Sequence, residues 1–138
     1  MSVEPSTTVS AAGTVVPPLR GSRCPGCGNA AFPVATRCQR CGRADVVPVD
    51  LARRGRVWAH TVQRFAPKSP PYVPPAEGFR PFAVGYVELP DGVRVEAILD
   101  GRHDQLAGAE VTLVATTPVP RFATDDWFRA HDSQEVAR

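Results

Sequence analysis

No apolar run in the 138-residue sequence approaches the roughly 18 residues needed to cross a bilayer. The opening Met1-Ser2-Val3-Glu4-Pro5 lacks the basic stretch and apolar core of a secretory signal. A cytoplasmic protein with no membrane partner is therefore expected. There is no phosphate-cradling P-loop, no G-x-G-x-x-G dinucleotide turn and no G-x-S-x-G nucleophile elbow. Long helices have little room, because 15 prolines and 11 glycines punctuate the chain. That excludes a helical bundle or coiled coil and favours short strands, turns and long loops. Hydrophobic residues at 43% and charged residues at 22% are ordinary for a globular chain, so disorder throughout is excluded too.

Charge is balanced overall and unbalanced locally. Residues 20–68 carry ten basic side chains against two acidic ones. Residues 91–138 carry five arginines against nine acids. A basic first half suits a polyanion or an acidic partner surface, and equally a solvated face with no partner.

No cysteine stands outside two pairs. Cys24-Pro25-Gly26-Cys27 runs into Gly28, and Cys38-Gln39-Arg40-Cys41 runs into Gly42. In each C-x-x-C-G unit two thiolates converge while the glycine lets the backbone turn and aim N–H groups at sulfur. Two such knuckles supply Cys24, Cys27, Cys38 and Cys41, enough to close a tetrahedral structural zinc site. Iron remains chemically possible with four thiolates. Disulfides are rare in the cytosol, and a thioredoxin-type redox pair needs one C-x-x-C in a βαβ context. Four cysteines leave no open coordination position, so catalytic zinc is not expected. The metal stands in for a core that about 30 residues cannot build alone.

Residues 1–18 have little periodicity and are expected to form a flexible tail. The ribbon is assigned to 19–50, a barrel to 51–124, and a tail or short helix to 125–138, with Pro48 to Arg54 read as a short connection between ribbon and barrel. Arg56 to Phe65 is rich in β-branched and aromatic residues and reads as a strand. Phe82 to Leu89 is a second, and Pro90-Asp91-Gly92 a tight turn. Val93, Val95, Ala97 and Leu99 then alternate onto one face of a third. Ala109 to Thr116 forms a fourth and Val119 to Phe122 a short fifth, after which Thr124 can cap a helical segment. Five short strands suggest a small closed or partly closed barrel, and a five-stranded Greek-key OB barrel fits the count. The first two are joined by a 16-residue loop, Ala66 to Pro81, with six prolines. Loops of that length are usually functional or disordered, and proline lowers the entropy lost on docking. A flap packed over the barrel is the alternative.

The ordered set resembles the zinc-ribbon plus OB-fold proteins associated with acyl-CoA enzymes. The matching stretches are Cys24 to Gly28, Phe32-Pro33, Cys38 to Gly42, Gly55 to Val62, Phe82 to Leu89, Pro90 to Val95 and Leu106 to Val111. They cover roughly residues 20–122. Two departures concern the ends: residues 1–18 are poor in helix formers, and the last strand is short and followed by Asp125-Asp126-Trp127-Phe128. The fold implied is mainly β, an N-terminal rubredoxin-like zinc ribbon followed by a five-stranded OB-fold barrel. The function implied is an accessory subunit of a thiolase-like enzyme or lipid-transfer-type thiolase or aldolase. Such a companion buttresses the catalytic partner in a hetero-oligomer and helps shape its acyl-CoA channel. Contacts with partner or acyl-CoA are then expected from Arg53, Arg54, Arg56, Phe65, Lys68, Tyr72, Phe79 and Arg80. Guanidinium groups among them suit CoA phosphates.

No independent catalytic set is expected. The cysteines are committed to metal, and His60, His103 and His131 read as structural or solvated residues. A single-stranded nucleic-acid module is the alternative, since ribbons and OB folds both occur in such proteins. Few aromatic platforms, chiefly Trp58 and Tyr86, and an acidic second half argue against it.

Overall fold

A computed structural model describes residues 8–9, 15–68 and 73–136, with side chains over 16–68 and 73–131. Ten strands and one helix follow in chain order: β1 (Thr8–Val9), β2 (Val15–Val16), β3 (Arg20–Arg23), β4 (Ala30–Ala31), β5 (Val47–Asp50), β6 (Arg54–Gln63), β7 (Phe82–Glu88), β8 (Arg94–Asp100), β9 (Glu110–Ala115), β10 (Arg121–Thr124) and α1 (Asp125–Val136). A 3-10 turn spans His103–Gln105.

Strands β6 to β10 close a barrel in the order β10-β8-β7-β6-β9, with β10 also pairing β9. All pairs are antiparallel except β10 with β8. That is the OB topology expected from the strand count. Alternation fills the interior. Val95, Ala97 and Leu99 of β8 point inward with Val93 before it, and Val87, Val111, Leu113 and Phe122 meet them fully enclosed. Gly85 lies where β7 crosses β6 so closely that a Cβ would collide with the Ala59 carbonyl, so only glycine fits. Thr124 accepts the Trp127 N–H at 3.3 Å and caps α1, as its position before two aspartates suggests.

The sheet β4-β3-β5 precedes the barrel. Its β5 strand takes residues expected to be a connection. Pro48 is tolerated there because β5 is an edge, where a missing N–H costs no ladder bond. Part of the span expected to be a tail is described. β2 pairs with β1, and Val16 is buried in the core cluster with Leu19 and Leu51. An apolar residue two before Pro18 gains more by burial than by solvation. The rest of 1–14 lies outside the described residues. Leu51 donates its N–H to the Leu19 carbonyl at 2.9 Å, and Ala52 donates to the Asp91 carboxylate at 2.9 Å, tying the ribbon's root to the β7–β8 turn. No described helix is long and apolar enough to cross a membrane.

Candidate metal centre

The two C-x-x-C-G units fold into knuckles with the same hydrogen-bond pattern. In the first, the Gly28 N–H donates to the Cys24 carbonyl at 2.8 Å and the Cys24 N–H to Asn29 at 2.9 Å. In the second, Gly42 donates to Cys38 at 2.9 Å and Cys38 to Arg43 at 2.8 Å. Gly28 and Gly42 sit at φ 79° and 85°, the left-handed region that glycine enters without a Cβ clash. The loops therefore turn back, and the sulfurs converge.

Cys24 Sγ lies 3.5 Å from Cys41 Sγ, and Cys27 Sγ lies 3.6 Å from Cys38 Sγ. All four sulfurs fall within 4.8 Å of one another. A tetrahedral ion with metal–sulfur bonds of about 2.3 Å needs sulfur–sulfur edges of about 3.8 Å. The four sulfurs fit that demand, and a disulfide, with sulfurs about 2.05 Å apart, does not. One cysteine of each pair is buried, Cys24 and Cys38, and one exposed, Cys27 and Cys41. Among the described residues this is the one group of three or more metal-type ligands.

The backbone prepares the thiolates. The Cys41 N–H lies 3.4 Å from Cys38 Sγ and the Arg40 N–H 3.3 Å from it. Those two donors hold the Cys38 thiol down at about 6 against the opposing effect of burial. The N–H of Cys27, then of Gly26, draws Cys24 down in the same way. Cys41 behaves oppositely: the Arg43 N–H lowers it, but the Cys24 thiol, burial and the other two sulfurs raise it to about 11. Four thiols this close compete for negative charge, and a divalent cation relieves that competition.

Two arginines brace the knuckles, a role the cysteine pattern alone does not show. Arg23 Nη1 donates to the Gly28 carbonyl at 3.0 Å, and Arg37 Nη1 donates to the Gly42 carbonyl at 2.7 Å. Each immediately precedes the first cysteine of its pair. The repeated unit is thus R-C-x-x-C-G, and the arginine was the signal available in the sequence. Arg43, in contact with Gly26 of the first knuckle, is held by Asp45 through two bonds of 2.9 and 2.6 Å.

The residues expected to meet a partner are not gathered in one place. Arg54 pairs with Glu110 at 2.8 Å and Asp125 at 3.2 Å. Arg56 pairs with Glu110 at 3.4 Å and donates to the Gly108 carbonyl. Arg53 Nε reaches the Val16 carbonyl at 3.2 Å. Phe65 is 82% exposed and Lys68 is exposed, both on the β6–β7 loop. Phe79 is half-buried, edge-on to Phe82 at 6.1 Å between centroids, and Arg80 is exposed. Tyr72 lies outside the described residues. Of the histidines, His60 lies on β6, His103 in the 3-10 turn, and His131 on α1, stacked on Trp127 at 3.9 Å.

A four-cysteine ribbon followed by a closed OB barrel defines a two-part, mainly β scaffold with a metal-type centre. The family model for the ChsH2 C-terminal OB-fold domain matches residues 48–116, and the chain belongs to that family. It is 32% identical over 85 residues to the benzoylsuccinyl-CoA thiolase subunit BbsA of Thauera aromatica, covering 62% of this chain and 54% of that one. It is 33% identical over 89 residues to BbsA of Geobacter metallireducens, covering 64% and 55%. The chain thus spans about half the length of these curated relatives. Among solved structures, the Ltp2-ChsH2(DUF35) aldolase superposes with a TM-score of 0.59 at 28% identity, covering 78% of this chain and 84% of that one.

Proposed function

We propose that this chain is a non-catalytic accessory subunit of a thiolase-like or aldolase enzyme acting on acyl-CoA. The observation that carries the reading is the pairing of a four-cysteine cluster with an OB barrel, in a chain similar to a thiolase subunit and to the Ltp2-ChsH2(DUF35) aldolase. Zinc is the metal this reading assigns to Cys24, Cys27, Cys38 and Cys41. Four thiolates suit its preference, and full coordination leaves it no substrate position. The ion would fold the ribbon; the partner would hold the reacting groups.

The proposed partner and acyl-CoA contacts centre on the β6–β7 loop: Phe65, Lys68, Tyr72, Phe79 and Arg80. Lys68 and Arg80 form no ion pair with described residues, so either can neutralise a phosphate. Arg53, Arg54 and Arg56 belong to the same proposal on a second footing. Arg54 and Arg56 would have to leave Glu110 before taking a phosphate.

The test is co-purification from cells with mass-spectrometric identification. A thiolase-sized protein near equimolar ratio is expected. A chain that stays alone at high concentration with that protein supplied overturns the reading.

A further inference from the structure

A trough crosses the outer face of β8, β7 and β6. Its wider end, about 600 Å³, is walled by Phe32 and Pro33 of the ribbon and by Val119 between β9 and β10, over Tyr86, Glu96 and Ile98. Its narrower end, about 280 Å³, shares Tyr86 and Glu96 and runs on to His60 of β6. Tyr86 and Glu96 stand directly opposite each other in the β7–β8 register. A bulge between Val57 and Ala59 turns Trp58 onto this same face. Its indole meets Tyr86 edge-on at 6.2 Å and lies under the Arg94 guanidinium at 3.8 Å. Trp58, Tyr86 and Val119 are 53%, 42% and 45% exposed. Large apolar groups collected on one face, with aromatics and an arginine among them, have the composition of an interface centre.

The charges select the occupant. Arg94 is engaged by Trp58 and by Glu88 at 3.4 Å. Glu96 is exposed and pairs with no basic side chain among the described residues. The trough therefore offers apolar walls around one unneutralised carboxylate. A nucleic-acid strand or a CoA phosphate would bring a like charge to it. A second copy of this chain, packed about a two-fold axis through the trough, would set Glu96 against Glu96. A protein segment carrying an apolar side chain beside a lysine or arginine satisfies both features at once.

We propose that this trough seats a basic-and-apolar segment of the thiolase-like partner subunit, with Glu96 receiving its cation and Tyr86 and Trp58 its apolar side chain. The proposal rests on the accessory-subunit reading and adds to it the face that docks.

The experiment uses the purified chain and the thiolase-like subunit that co-purifies with it, with affinity measured by calorimetry. Glu96→Lys and Tyr86→Ala are compared with Asp104→Lys, which makes the same charge change on the His103–Gln105 turn. Glu96→Lys is expected to weaken the complex about tenfold or more, Tyr86→Ala several-fold, and Asp104→Lys less than about twofold. Carboxyl footprinting of the wild-type complex reads the same face without a mutation: Glu96 labelling should fall on assembly while Asp104 labelling persists. A wild-type complex that forms normally, ignores both trough variants and leaves Glu96 labelled overturns the trough alone. A wild-type chain that finds no thiolase-like partner overturns the accessory reading itself. Self-association or binding of a single-stranded oligonucleotide that is abolished by Tyr86→Ala would also overturn the assignment, by giving the face to another occupant.

Discussion

Arg37 donates to the Gly42 carbonyl at 2.7 Å across the second cysteine knuckle, five positions further along the chain. Arg23 makes the equivalent bond to Gly28 at 3.0 Å, so both halves of the centre are closed by the same device. Each bond is charge-assisted and pins the glycine whose left-handed turn brings the second cysteine round. Arg37→Ala is expected to speed metal transfer to a chromogenic chelator several-fold, with Arg37→Lys between it and wild type. The far-UV signature of the barrel should not change, because the hydrogen bond that Arg37 makes lies within the ribbon. A release rate equal to that of wild type would show that the cysteine loops hold their shape unaided.

Two aspartates near α1 are displaced from the ordinary carboxyl value in opposite directions. Hydrogen bonds from the Arg54 guanidinium hold Asp125 below its ordinary value. Burial pushes Asp100 above its own, although the charges of Arg121 and His131 oppose the shift. The consequences for stability have opposite signs. Asp125 contributes at pH above its unfolded value near 3.9, and that contribution is lost as pH falls through the lower folded value. Asp100 binds its proton more tightly when folded, so its contribution is greatest in acid and declines as pH rises through its raised folded value. Carbon-detected NMR titration should order the midpoints Asp125 below Asp100. Arg54→Ala should return Asp125 toward the ordinary range. Because that ion pair is largely exposed, the same change should cost at most about 1 kcal/mol of stability.

What could be read from the sequence was local. The two C-x-x-C-G units, the alternation of Val93, Val95, Ala97 and Leu99, and the cap at Thr124 each depend on residues a few positions apart. The barrel followed from counting such segments, although β10 starts two residues later than Val119 suggests. What could not be read depends on distant partners. Arg54 looked like a free cation until folding brought Glu110, 56 residues on, and Asp125, 71 residues on, beside it. Pro48 looked like a connection because its strand is defined only by pairing with β3. The trough is made by the ribbon meeting the barrel, so Phe32 and Val119 carried no mark of it in the sequence.

The β6–β7 loop offers a test that separates stability from assembly. Excising residues 67–77 leaves Phe79 against Phe82, an aromatic contact that roots the loop on β7. Loop closure entropy changes only slowly with length, and the removed prolines make no described strand pairing. The isolated chain should melt within a few degrees of wild type. The complex with the thiolase-like subunit should weaken. An unaltered complex would remove the loop from the contact surface and leave Phe65 and Arg80 without their proposed role.

Replacing Cys38 with serine should separate the chain's two halves. Cys38 is one of the two buried ligands, and both the Arg40 and Cys41 N–H groups point at its sulfur. A serine oxygen is a poor substitute for thiolate at neutral pH, so the remaining three sulfurs cannot close a tetrahedral site. Without the ion, the segment from Cys24 to Cys41 has little else to hold it, since β4 contributes only two residues to its sheet. The barrel is differently placed: Val87, Val95, Val111, Leu113 and Phe122 are enclosed by strands from its own sequence. Bound metal should fall from one equivalent to none by elemental analysis. Amide resonances of residues 24–43 should collapse toward random-coil positions, while those of β7, β8 and β10 stay dispersed. Loss of dispersion throughout would mean that Leu19 and Leu51, which carry ribbon and barrel into one core, couple the two into a single cooperative unit.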